Sequence, residues 1–339
     1  MENLHTLVKK KTPIWFMRQA GRYLPEYRSI RKKEKNFLDL CFNPDLAAEI
    51  SLQPIKRFNF DFIILFCDIL VIPYALGKNV DFKEKIGPIL EKTKRADEFR
   101  NLDFEFALNK LSPVMETITK IKIENSEKNL IGFCGGPFTV LTYMLEGGTS
   151  KSHSLVKKKI KEEREDFVRL IDIITELSIK YLENQIISGV NLIKVFESWA
   201  GLLDGKDFED FIIRPNKRIQ EILKKKFPYI PIIFFPRNSG KNIFSFMKKV
   251  DIDVLSLDKN FPKELLNLSE DKKIIFQGNL DPQILIEGGK KLEDEVKKIM
   301  LEFSNNNHIF NLSHGILPTT PIKNVEKTIE LIKRFNETR

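Results

Sequence analysis

A chain of 339 residues, 42% of them hydrophobic, is long enough to bury a large core and too apolar for disorder. Its net charge of +9 comes from interspersed Lys and Glu, as in KKKIKEERED (157–166), without the basic stripe and interleaved aromatics of a nucleic-acid surface, though it favours a polyanionic ligand at long range. Cys41, Cys67 and Cys134 lack C-x-x-C spacing, which speaks against a disulfide framework or a thiolate metal site and for a reducing, cytoplasmic setting.

The N-terminus carries no basic stretch followed by an apolar run, so no export signal is expected. Stretch 62–76, the most apolar, is interrupted by Asp68 and Pro73 and falls short of the roughly 20 apolar residues of a membrane span. Eight short apolar runs follow one another at 13–17, 61–66, 130–134, 191–196, 231–235, 253–257, 273–276 and 308–312. Their continuous apolar character, rather than alternation, predicts parallel strands covered on both faces. Amphipathic segments separate them, most clearly helices at 155–187 and 208–226, and DFKEKIGPIL (81–90) predicts a small extra hairpin. With no linker, repeat or shift in composition, the expectation is one α/β domain over 1–339, a single-domain (β/α)8 TIM barrel.

In such a barrel the active site is built from the segments after the strands. Those segments are RQAGR (18–22), CDIL (67–70), GGPFT (135–139), ESWAG (197–201), PRNSG (236–240), DKN (258–260), QGNLD (277–281) and SHG (313–315). Nearly every polar interruption of an apolar run falls there. Arg18, Arg22, Arg28 and Arg31 crowd the first segment, and a guanidinium fork matches carboxylate or phosphate while staying charged. For Arg28 and Arg31, surface pairing with Glu26 and Glu34 is an equal alternative. Asp68 lies inside an apolar run where an unpaired carboxylate is costly, so either a salt bridge to one of those arginines or a ligand has to answer it. His314 could donate to a carboxylate or be satisfied by backbone. Tyr143 and Glu146 sit in TYMLEGG (142–148), read as a helix end running into a Gly-rich lid. The glycine pairs form no P-loop or G-x-G-x-x-G. His5, His153 and His308 have no companion at ligand spacing, so no metal is expected. From the residues alone this is a barrel enzyme for a polyacidic small molecule.

PIWFMRQAGRYLPEYR (13–28) resembles the N-terminal signature of the uroporphyrinogen decarboxylase family. Five further segments match the family in order: FDFIILFCDILVIPYALG (60–77), IGFCGGPFTVLTYMLEGG (131–148), VFESWAG (195–201), QGNLDP (277–282) and NLSHGILPTTP (311–321). The resemblance implies a cytoplasmic (β/α)8 homodimer that uses no cofactor and turns the four acetates of uroporphyrinogen III into methyls, giving coproporphyrinogen III and CO2. It implies substrate-binding positions at Arg18, Gln19, Ala20, Gly21, Arg22, Phe37, Asp68, Tyr143, Ser198 and His314, with Asp68 stabilising the reacting pyrrole and Arg18 beside it in the catalytic pair. The proton donor stays open between Arg18, His314 and a water relayed by Tyr143. Cys67 stands where the family commonly has Ser, Ser313 where it usually has Gly, and PRNSG departs from its usual Lys-Gly turn, so no site residue is carried over to 236–240. The rival readings are a zinc methyltransferase of the same fold, which needs a His-x-Cys that His314-Gly315-Ile316 does not provide, and a tetrapyrrole carrier without turnover.

Overall fold

The computed structural model describes residues 3–34, 36–83, 86–268 and 274–337. Lys273, which begins the seventh predicted run, lies outside the described residues. Among the described residues seven strands form one parallel sheet: β1 (Phe62–Ile64), β4 (Asn129–Gly135), β5 (Leu192–Glu197), β6 (Ile232–Pro236), β7 (Val254–Ser256), β8 (Ile275–Leu280) and β9 (His308–Leu312). Each pairs with the next in chain order, and all but the first residue of β4 are buried. Helices cover the outer face, which explains why the runs carry no polar alternation.

The first run, 13–17, departs from expectation, because it makes an isolated parallel bridge from Ile14 to Phe310 rather than a full strand. It nevertheless closes the ring. Trp15 N–H donates to the Phe310 carbonyl at 3.3 Å, and Asp61 N–H donates to the Ile14 carbonyl at 3.0 Å, so the segment joins β9 to the start of β1. Pro13 has no N–H, and the Ile14 N–H is taken by the Asp61 carboxylate at 2.8 Å. With those donors missing from the ladder, a longer strand cannot form. The architecture is a (β/α)8 barrel.

The segment predicted as one helix at 155–187 is two, Ser154–Glu162 and Arg164–Ile187, broken at Glu163. Lys159 Nζ reaches both Glu163 and Asp166 at 2.9 Å across the break, and the buried Lys159–Asp166 pair fixes the elbow. The helix expected at 208–226 runs as Gly205–Phe208, a π turn at Glu209–Ile213, then Arg214–Lys226. Pro215 lacks the N–H that an α-helix would aim at Phe211, which is the physical reason for the wider turn.

The extra hairpin is present as β2 (Val80–Lys83) and β3 (Gly87–Leu90), antiparallel. It corrects the reading of 147–148 as a lid. Gly148 bridges Ile89 and the Gly147 carbonyl accepts from Leu90 N–H at 3.0 Å. A Cβ on Gly148 would stand 2.5 Å from the Pro88 carbonyl oxygen. The glycines therefore allow close packing of backbone on the hairpin.

Inside the barrel, buried Lys194 on β5 donates to Ser256 Oγ at 2.7 Å and lies over the rings of Trp15, Phe196 and Phe235. Burial holds its ammonium well below the ordinary lysine range. Trp15 Nε1 donates to Gln277 Oε1 at 3.0 Å, and the Gln277 amide continues to the same Ser256 hydroxyl. This network ties the first segment, β5, β7 and β8 together beneath the mouth.

Candidate active site at the barrel mouth

Arg18 ends the first segment in the left-handed region, with φ of 64°. That conformation costs a side-chain-bearing residue about 1 kcal/mol or more and survives only where the surroundings impose it. Here they do. Met17 N–H donates to Asn311 Oδ1 at 2.9 Å and the Met17 carbonyl accepts from Ile316 N–H at 2.8 Å, sewing the turn to the end of β9. Gln19 is fully buried, with its amide donating to the Phe62 carbonyl and its carbonyl oxygen accepting from Phe16 N–H. Its side chain holds the turn rather than facing the mouth. Ala20 and Gly21 continue that turn, and Arg22 is exposed with its side chain making no hydrogen bond or ion pair among the described residues.

The four arginines separate here. Arg28 donates to the Arg22 and Tyr23 carbonyls at 2.9 Å, and Arg31 to the Glu34 carbonyl at 2.6 Å. Glu26 is paired with Arg57 instead, at 2.8 Å. Arg28 and Arg31 thus brace backbone, while no protein partner is found for the guanidiniums of Arg18 and Arg22 among the described residues.

Asp68 follows β1 at the mouth. Its Oδ1 accepts from Leu70 N–H at 2.9 Å, and it forms no salt bridge among the described residues. Burial pushes its carboxyl up to about 6, against the lowering effects of the Leu70 N–H and the nearby Arg18 charge. Cys67 turns away, its Sγ 3.7 Å from the Tyr181 hydroxyl, so the backbone and not the thiol orients the carboxylate.

Tyr143 projects from the helix Pro137–Glu146, half-buried, its ring tilted against Trp199 at 6.2 Å between centroids. Burial raises its phenol, and the Asp68 charge adds to the rise. Ser198 follows β5 and is also half-buried. Phe37 packs on Phe66 and Phe82 at 5.7 Å and 4.8 Å, lining the hairpin side. His314 follows β9; its imidazole is pushed down to about 3 by burial first, then by Arg18 and Arg237. It is therefore neutral near pH 7. Arg18, Asp68, Tyr143 and His314 come together. Ser198 follows β5 at the same end of the barrel, and Phe37 packs on Phe66 just before the Asp68 segment. Arg22 stays in the turn after Arg18, its side chain making no hydrogen bond or ion pair with this group among the described residues.

Glu146 is a cap: its Oε1 accepts from Leu155 and Val156 N–H at 3.0 and 3.1 Å. Two residues went unread in the sequence. Glu197 is 1% exposed and accepts from Phe138 N–H, Thr139 N–H and the Thr139 hydroxyl, locking the Tyr143 helix to β5 one residue before Ser198. Burial raises its carboxyl to about 7, and a Cβ on Gly136 would lie 2.2 Å from its Cδ. The second is Arg237 at the end of β6, whose charge reaches Arg18, Tyr143 and His314. Its only sequence signal was its place in PRNSG after a strand.

Among the described residues, no group of three or more His, Cys, Asp or Glu is placed to hold a metal ion, and no helix is long and apolar enough to cross a membrane.

The profile of the family described as "Uroporphyrinogen decarboxylase (URO-D)" matches residues 5–335. Proteins named uroporphyrinogen decarboxylase from Rickettsia bellii and Orientia tsutsugamushi are 46% and 45% identical, over 96% of this chain and 95% of each relative. Among solved structures, a methyltransferase from Methanosarcina mazei superposes with a TM-score of 0.75 over 99% of both chains at 17% identity, a likeness of fold alone. The match along nearly the whole chain, on a barrel whose mouth gathers the same motifs, means that this chain belongs to the uroporphyrinogen decarboxylase family.

Proposed function

We propose that this chain decarboxylates uroporphyrinogen III to coproporphyrinogen III as a single cytoplasmic barrel domain, paired as a homodimer, without metal or organic cofactor. The observation that carries the reading is Asp68: a carboxylate at the barrel mouth that lacks a salt bridge among the described residues, is raised by burial, and lies within the field of the Arg18 guanidinium. The substrate carries eight carboxylates around a ring whose centre offers four pyrrole N–H donors. One carboxylate at Asp68 accepts from that centre, while Arg18, Arg22 and the neutral N–H of His314 meet carboxylates, and Ser198, Tyr143 and Phe37 bound the ring. Gln19, Ala20 and Gly21 form the turn that aims both arginines.

Loss of CO2 from a pyrrole acetate needs an electron sink. Protonation of the adjacent ring carbon creates a cation conjugated to the ring nitrogen. The carbon–carboxylate bond then breaks, its electrons form an exocyclic methylene, and CO2 departs. A proton adds to the methylene carbon and the ring carbon returns its own, so each acetate consumes one proton net and becomes a methyl. The Asp68 anion stabilises charge that exists only during this passage, which lowers the barrier rather than the ground state. A guanidinium with a pKa above about 12 is a weak acid for the first step, and the neutral His314 carries only an imidazole N–H, which leaves Arg18, His314 and a water relayed by Tyr143 as the candidates for the donor.

The test is anaerobic incubation with uroporphyrinogen III, with and without chelator, and chromatography of the products. Stepwise appearance of hepta- to tetracarboxylates in both samples supports the reading; unchanged octacarboxylate overturns it, and chelator-sensitive turnover overturns the metal-free mechanism.

A further inference from the structure

The β6 loop contributes a cation that the family resemblance did not supply. Arg237 N–H donates to the Glu197 carbonyl at 3.1 Å, directly before Ser198, and the Arg237 carbonyl accepts from Gly201 N–H at 3.0 Å. The contact is tight: a Cβ on Gly201 would lie 2.4 Å from the Asn238 carbonyl oxygen. The backbone of Arg237 is thus pinned at the rim while its guanidinium, half-buried, makes no hydrogen bond or ion pair among the described residues. The nearby carboxylate of Asp258 is occupied by backbone, accepting from Asn238 N–H at 2.7 Å and Asn260 N–H at 2.9 Å. Arg237 and Arg18 repel each other and together depress His314. Two guanidiniums that repel each other, with carboxylates near them but no ion pair formed among the described residues, leave their hydrogen-bonding forks open to an incoming anion.

We propose that Arg237 is a substrate-binding residue that holds a propionate carboxylate of the reacting pyrrole, an assignment that rests on the function proposed above. The choice of propionate over acetate follows from the chemistry. A cation on the acetate carboxylate would stabilise the group that must leave as CO2, binding the ground state more tightly than the transition state. A propionate is retained through every turn, so the same contact serves substrate and product.

Arg237→Met and Arg237→Lys are the variants, each read in two ways under anaerobic conditions: KM and kcat for uroporphyrinogen III, and the dissociation constant of coproporphyrinogen III from quenching of tryptophan fluorescence, since Trp199 lies against Tyr143 at the mouth. Arg237→Met is expected to raise both KM and the product dissociation constant about tenfold or more, with kcat within about twofold, and Arg237→Lys to recover part of the loss. The melting temperature stays at the wild-type value because no protein partner is lost. Weakened substrate with unchanged product would move the contact to an acetate and overturn the assignment; no change in either would remove Arg237 from the site. A wild-type protein that binds coproporphyrinogen but does not convert uroporphyrinogen sinks the functional reading alone, since the product-binding comparison still decides Arg237.

Discussion

Gly315 and Arg18 meet at the barrel mouth, on neighbouring segments: a Cβ on Gly315 would lie 2.4 Å from Arg18 Cδ and 2.9 Å from Arg18 Nε. The loop after β9 therefore has to present bare backbone for the Arg18 side chain to lie across it. Gly315→Ala is expected to leave the fold intact, because its backbone needs no left-handed conformation, while pushing Arg18 aside. A displacement of about 1 Å in such a group can cost about 100-fold, so kcat/KM should fall at least tenfold with little change in melting temperature. Wild-type kinetics in Gly315→Ala would show that Arg18 is not held at the reaction centre.

Asp68→Asn separates a catalytic anion from a structural one. Removing a preorganised electrostatic group costs about 100-fold or more in kcat, whereas breaking a buried salt bridge costs about 3–5 kcal/mol of stability. Among the described residues, Asp68 has no such bridge to break. Its folded pKa, about 6, lies above its ordinary 3.8, so the folded state binds the proton more tightly than the unfolded state, and ionisation costs stability that is fully felt above about pH 6 and absent below about 3.8. The Asn variant should thus melt at the same or a higher temperature at pH 7, with the difference closing towards pH 4. A variant that melts lower but turns over normally per folded molecule would remove Asp68 from catalysis.

The pH profile follows from the same carboxyl. The active form is ionised, so kcat/KM should be level above about pH 6 and fall roughly tenfold per unit below it. His314, depressed to about 3, contributes no inflection between pH 5 and 8. An inflection in that range that vanishes in His314→Gln but persists in Asp68→Asn would reverse the assignment.

Arg22 is exposed and its side chain is unpaired among the described residues. Arg22→Lys keeps the charge but loses the two-pronged geometry that matches a carboxylate. KM for uroporphyrinogen should rise and grow more sensitive to salt, with kcat nearly unchanged. An unaltered KM would place Arg22 outside the substrate's reach.

The barrel was legible in the sequence because parallel strands covered on both faces must be apolar throughout, and each run therefore announced itself without its neighbours. Asp68 was legible for the converse reason: a carboxylate within such a run demands an explanation wherever the chain folds. The lid expected at 147–148 failed because the hairpin that receives those glycines is defined by strand pairing, not by local composition. Arg18 and Arg22 stood apart from Arg28 and Arg31 in the sequence because they flank a glycine directly after an apolar run, but which carbonyls Arg28 and Arg31 brace was decided only by the fold. Nor could the sequence mark Glu197, whose partners are on the preceding barrel unit, or pair Gly315 with Arg18 from the opposite end of the chain. Local hydrophobicity is a property of neighbours along the chain and determined the strands. Contacts between loops depend on closing the ring, and only the tertiary structure decided which charges were left without partners at the mouth.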